Sequence, residues 1–303
     1  MSPEIFISQI FNGLSLSSIL LLVGLGLSIT FGIMGVINFA HGEFLMIGAY
    51  SAFITQSFFI KYLSADLLGF YFFVALPVSF IIAAFIGFIL EKFLIRFLYG
   101  RTYETILATW GVSLILQQLA RNIFGANNVD VSSPTWLRGG ITISEGLQLP
   151  YNRLFILAIS TICIIGMYCF FYRTAKGRVI RAVMQNRTMS ACLGVPTSKV
   201  DAFTFALGSG LAGIAGCVVS LLGSIGPSTG QNYIIDAFMV VVLGGVGKIV
   251  GTIAGALAIG ISSSLFEFIT TSSMGKVIVF SLIIVFLQWK PQGMFTLKTR
   301  KLD

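Results

Sequence analysis

The sequence predicts an all-α polytopic membrane protein of about eight to nine transmembrane helices, and three observations predict it. Charged residues make up only 10% of the 303 positions, against about a quarter in ordinary globular chains. That is too few to cover a soluble surface of this size. Apolar residues reach 56%, with a mean hydropathy of +0.95. They gather into continuous runs near the roughly 20 residues that cross a hydrocarbon core.

The first run extends from Ile10 to Val36 and the second from Phe44 to Phe59, separated by the polar segment NFAHGE, Asn38–Glu43. A third covers Phe70–Leu90 and ends at Glu91 and Lys92, with Arg96 and Arg101 close behind. The fourth is Ile106–Phe124. A polar insertion at 125–150 carries Pro, several Gly and a short alternating stretch, which predicts a small hairpin outside the membrane. Leu154–Tyr172 is the fifth run and Ala202–Leu222 the sixth, with a basic loop at 173–199 between them. The remainder breaks into Ile234–Val246, Ile249–Phe268 and Val277–Trp289, followed by a basic tail. The whole of 1–303 is thus one transmembrane domain.

The charges set an expected orientation. A net charge of +8 would raise nucleic acid as a partner of a soluble chain. Here the basic residues sit between apolar runs, where they hold loops in the cytoplasm, and no nucleic acid is expected. The Lys92–Arg101 turn, the 173–199 loop and the tail are expected inside, and the 125–150 insertion outside. Nine crossings with the N-terminus outside satisfy these markers. Eight, with a broken or re-entrant piece, is the alternative, because Phe44–Phe59 and Ile234–Val246 are short. The start, MSPEIFISQIFNG, lacks the basic n-region of a cleaved signal peptide.

Small residues recur every four positions at Gly208, Ala212, Gly216 and Ser220, at Gly247, Gly251 and Gly255, and at Gly24, Ser28 and Gly32. Such stripes let helices approach closely in lipid. They also create two mimics of nucleotide motifs. Gly208, Gly210 and Gly213 match G-x-G-x-x-G, but no strand precedes them. GGVGKI resembles a P-loop ending, yet Val242 stands at the first Gly position and Ile249 replaces the Ser/Thr after Lys248. No ATPase site of its own is expected. Cys163, Cys169, Cys192 and Cys217 suit apolar fillers rather than disulfides or a metal site.

Polar groups at membrane depth mark functional candidates. Asn38, His41 and Glu43 follow Gly32 and Gly35, which permit a helix break whose freed backbone groups could serve a path or gate. The competing reading is a tight cytoplasmic turn with its polar side chains in water. Asp236 precedes a second Gly-rich interruption, and Glu267 follows the Ile249–Phe266 run. Thr109, Trp110, Ser113 and Gln117 have spacings compatible with one side of the fourth span. Nothing pairs a base with a nucleophile, and the single His lacks metal-ligand neighbours, so neither catalysis nor a metal site is expected. In the 173–199 loop, Arg173, Lys176, Arg178, Arg181, Arg187 and Lys199 occur without one acid. A helix there, with Val179, Ala182, Val183 and Met189 as its apolar face, would lie on anionic lipid or dock a cytoplasmic partner. The NRT at Asn186 fits a glycosylation acceptor only formally, since it would face the cytoplasm.

Longer blocks carry a family resemblance. These are the stretch from Asn12 to Tyr50 containing NFAHGE, IFGANNVDVSSPTWLRGG at 123–140, the stretch from Arg173 to Gly223, and GPSTGQNYIIDAFMVVVLGGVGKIVGTIAGA from Gly226. They resemble the first permease subunit of urea ATP-binding-cassette importers, within the branched-chain amino acid permease family. NFAHGE and the Arg173–Ala182 run resemble the wider family, while 123–140 and QNRTMSACLGV at 185–195 look more like the urea branch. The resemblance implies a bacterial plasma-membrane permease that moves urea, with a branched-chain amino acid or short amide as the alternative cargo. It also implies a second homologous permease, two cytoplasmic ATPases that use MgATP, and an extracytoplasmic binding protein. The basic loop would then be the ATPase dock, through Arg178, Arg181 and Arg187. A passive channel and a receptor-like scaffold are the competing classes.

Overall fold

The structure is a computed structural model that describes residues 3–63, 65–144 and 147–295. Basic residues of the expected cytoplasmic tail beyond Phe295 lie outside these. The chain folds as α1 (Pro3–Met34), α2 (His41–Tyr62), α3 (Tyr71–Phe93), α4 (Thr102–Phe124), strands β1 (Gly140–Ser144) and β2 (Leu147–Pro150), α5 (Tyr151–Arg173), α6 (Ala175–Gln185), α7 (Arg187–Cys192), α8 (Thr197–Val219), α9 (Thr229–Gly244), α10 (Ile249–Ile269) and α11 (Ser272–Trp289). Among the described residues, seven helices combine the length and apolarity needed to cross a membrane. Those are α1, α2, α3, α5, α8, α10 and α11. Of the other two sequence candidates, α4 has 23 residues but a polar stripe, and α9 has only 16, about 24 Å of helix. Helix α9 is therefore short for a core of about 30 Å.

The helices fall into a buried set and a lipid-facing set. Helix α1 is apolar all round and enclosed over most of its length, packed against α8, α9 and α10. Helices α5 and α11 instead turn Ile162, Ile165, Leu282 and Ile284 outward, as a lipid solvent allows. Close approach in the buried set depends on glycine. Gly26 of α1 meets Gly208 of α8, and Gly48 of α2 meets Gly213, where a Cβ would run into the opposing carbonyl. The Gly208–Gly213 mimic is therefore a helix crossing inside α8.

The two ends of the bundle differ in charge. At one end lie the α3–α4 turn, α6 and α7, the α9–α10 link and residues 290–295. They are joined by Arg187 over the Tyr99 ring at 4.8 Å and by Met294 N donating to Leu243 O at 2.8 Å. At the other end β1 pairs antiparallel with β2, and Val129 and Ile225 exchange backbone hydrogen bonds of 2.8 and 2.9 Å. The basic loops thus share one end, and the 125–150 insertion sits at the opposite one.

Candidate functional site

Helix α1 stops at Met34 because Gly35 takes φ +63°, a left-handed turn that suits glycine. The chain then runs without helix until Asn38 Oδ1 accepts from Ala40 N at 3.0 Å, a side-chain turn that starts α2 at His41. Asn38, His41 and Glu43 are all at most 2% exposed. The segment is therefore a buried helix break, and the water-facing turn is excluded. His41 Nε2 lies 3.2 Å from Val23 O, well inside α1. Phe39 N donates to Thr109 Oγ1 at 3.2 Å. Glu43 Oε1 accepts from Ser113 Oγ and Gln117 Nε2, each at 2.8 Å.

Six of the sequence candidates, Asn38, His41, Glu43, Thr109, Ser113 and Gln117, thus converge where α1 gives way to α2 beside α4. Trp110 does not join them. It is 53% exposed, because the buried face of α4 runs Thr105, Thr109, Ser113, Gln117 and one residue's offset turns the side chain by about 100°. Asp236 stands elsewhere, with Oδ2 3.5 Å from Lys276 Nζ of α11. Asn38 Nδ2, His41 Nδ1 and Glu43 Oε2 are buried without hydrogen-bond partners. Among the described residues no group of three or more His, Cys, Asp or Glu is placed to hold a metal.

At the basic end, Thr174 Oγ1 accepts from Gly177 N to cap α6, and Asn186 Oδ1 accepts from Met189 N to cap α7. The α6 face turned to the bundle is Gly177, Ile180 and Val183. Of the expected face of Val179, Ala182, Val183 and Met189, Val183 is buried there and the other three are not. The cap at Thr174 fixes the helix phase, and Val179 and Met189 face outward with Leu193. The three arginines also separate. Arg178 is exposed, Arg181 lies 4.7 Å over the Tyr172 ring, and Arg187 pairs with Asp201 of α8.

Two arrangements escaped the sequence. Tyr99 OH donates to Glu91 Oε1 at 3.0 Å beneath Arg187, making a charged cluster of α3, α7, α8 and the α3–α4 turn. The clue was Asp201, the first acid after a wholly basic loop. At the opposite end a cavity of about 390 Å³ is bounded by Asn12 and Ser15 of α1, Arg153 of α5 and Glu267 of α10, with Leu16 and Leu222. Arg153 donates to Asn12 Oδ1, and Ser15 Oγ is buried without a partner.

Residues 9–287 match the family described as the branched-chain amino acid transport system / permease component. The chain belongs to the branched-chain amino acid permease family. This permease is 30% identical over 299 residues to the high-affinity branched-chain amino acid transport system permease protein BraD of Pseudomonas aeruginosa, covering 96% of each chain. It is 28% identical over 302 residues to LivH of Escherichia coli, covering 95% of this chain and 94% of the relative. A probable LivH of Methanocaldococcus jannaschii is 29% identical over 300 residues, covering 94% and 91%. No solved structure matches it. The likeness spans nine-tenths or more of this chain and of each relative, so the chain is a membrane permease subunit of an importer of this ABC type, multi-pass in the plasma membrane. It is a transport component and not an enzyme. The names of these three relatives carry branched-chain amino acids, and none carries urea.

Proposed function

We propose that this permease lines, with a second homologous permease, the path of an ATP-driven importer whose cargo is a branched-chain amino acid. In this reading two cytoplasmic ATPases use MgATP, an extracytoplasmic binding protein delivers the cargo, and this chain binds no cofactor.

The cavity shared by Arg153 and Glu267 carries the cargo class. A zwitterion presents a carboxylate that suits a guanidinium and an ammonium that suits a carboxylate, and Leu16 and Leu222 offer apolar surface to a branched side chain. The end of the bundle where it lies is the one expected to face the binding protein. The buried helix break acts as the gate. Asn38, His41, Glu43, Thr109 and Gln117 hold it in one arrangement, and its unpartnered polar atoms favour a second one in which they pair. At the basic end, exposed Arg178 with Val179, Met189 and Leu193 forms the surface for the ATPase, while Arg181 and Arg187 set its position.

Leucine uptake by cells carrying the complete importer tests the cargo site. Arg153→Met and Glu267→Gln should each raise the apparent KM about tenfold or more at equal membrane-inserted protein, and Arg153→Lys should retain more function. An unchanged KM in both variants would take the cavity off the path. Urea remains the second reading, favoured by the 123–140 and 185–195 blocks. A neutral cargo would leave both charges without a role in uptake.

A further inference from the structure

At the basic end, a second cavity of about 550 Å³ opens between α5 and α10, bounded by Ser28 of α1, Tyr172 of α5, Arg181 and Met184 of α6, and Lys248 and Val250 at the start of α10. Two cations therefore border one cavity, supplied by elements that meet only through tertiary packing. Arg181 is held in place by the Tyr172 ring beneath its guanidinium, yet its Nε is buried without a hydrogen-bond partner. The N-terminus of the 21-residue helix α10 adds its positive dipole end at the same place. The mouth is apolar and faces outward from the bundle, with Tyr172 46% and Val250 54% exposed. Outside a membrane helix those surfaces meet acyl chains. Free phosphate would find cations here but no use for the apolar mouth, whereas a phospholipid uses both.

We propose that this cavity binds the phosphate headgroup of an anionic phospholipid from the leaflet at the basic end, its acyl chains lying along Val250 and Tyr172. Basic pockets between transmembrane helices recognise such headgroups through the same charge complementarity. The bound lipid ties α6, and with it the docking surface, to α1 and α10. This assignment is independent of the cargo.

Native mass spectrometry of the purified full chain, exposed in turn to phosphatidylglycerol, phosphatidylcholine and inorganic phosphate, tests it. The wild type should retain phosphatidylglycerol in preference to phosphatidylcholine. An Arg181→Gln, Lys248→Gln double variant should weaken retention by about tenfold or more. The charge-keeping Arg181→Lys, Lys248→Arg pair should preserve it. Val250→Trp, which leaves both charges but fills the groove, should release the lipid. Equal retention of the two lipids, or retention unchanged in the Gln double variant, would overturn the proposal. Displacement of phosphatidylglycerol by an equal concentration of inorganic phosphate would overturn it in favour of a free-phosphate site. The readout is bound lipid and not uptake, so its failure leaves the transport reading standing.

Discussion

Arg187 of α7 holds both carboxylate oxygens of Asp201, one turn into α8: Nη1 donates to Oδ1 at 3.2 Å and Nη2 to Oδ2. Asp201 is wholly buried, whereas the Arg187 side chain is 38% exposed. The same guanidinium covers Tyr99, whose hydroxyl reaches Glu91. Burial first, and then the neighbouring Asp201 and Glu91 charges, raise the Tyr99 phenol above its ordinary value, so it stays a donor. The placement of α6 and α7 over the bundle therefore depends on a charge pair inside this chain.

Removing Arg187 strands a buried carboxylate. Arg187→Ala should cost about 1–3 kcal/mol of stability, less than a fully buried pair because the arginine is partly in water. Adding Asp201→Asn should recover much of the loss. Thermal unfolding of the purified single and double variants measures the coupling, and strictly additive losses would show that the pair does not act as a unit.

Arg178 faces outward from α6 and makes no such internal pair among the described contacts. Arg178→Glu should leave the amount of inserted, folded permease unchanged and weaken its association with the ATPase subunits. Pull-down after coexpression reads this directly. Undiminished ATPase recovery would move the dock away from the exposed side of α6.

Glu43 accepts two hydrogen bonds from α4 in a site without water access. Glu43→Gln keeps an acceptor for Ser113 and should transport at close to the wild-type rate. Glu43→Ala leaves Ser113 and Gln117 without that partner, at about 1–3 kcal/mol for each buried group left unpaired, and should lower transport at equal membrane insertion. The same comparison applies at Asp236, where Asn should be tolerated better than Ala because Lys276 keeps a partner. Wild-type uptake in Glu43→Ala at equal membrane insertion would sink the gate; Asp236, paired with Lys276 away from it, tests only the support of α9 by α11.

Much of this was legible in the sequence, and the residues show why. Continuous apolar runs announced α1 and α3, while Gly35 with a polar NFAHGE left a helix break and a water-facing turn both open until burial decided between them. The four-residue spacing of Thr109, Ser113 and Gln117 gave the polar face of α4. Trp110 was misplaced because neighbours on a helix diverge. Most of the buried face of α6 was missed because its phase depends on the Thr174 cap, a geometric fact and not a compositional one. Sequence reasoning put Arg187 on the partner surface because its loop holds no acid, while the acid that takes it begins the next helix. Arg153 and Glu267 belong to distant helices that only the packing of α1 against α5 and α10 brings to one cavity.

Gly48 and Gly213 set the distance between α2 and α8. Gly48→Val should push these helices apart and sharply reduce folded protein, since overpacking costs about 1–3 kcal/mol or more in a tight crossing. Fluorescence-detected size exclusion of detergent extracts reads the loss. Gly111, which has open space around it, serves as the control, and Gly111→Ala should be silent. Equal behaviour of the two would remove the special role of the crossing.

The central claim, that this permease serves a branched-chain amino acid importer, is tested most directly by reconstituting the complete importer in proteoliposomes and following labelled leucine and labelled urea with and without ATP. The account predicts ATP-dependent accumulation of leucine, dependent on this chain and resisted little by excess unlabelled urea. Accumulation of urea without leucine would contradict it.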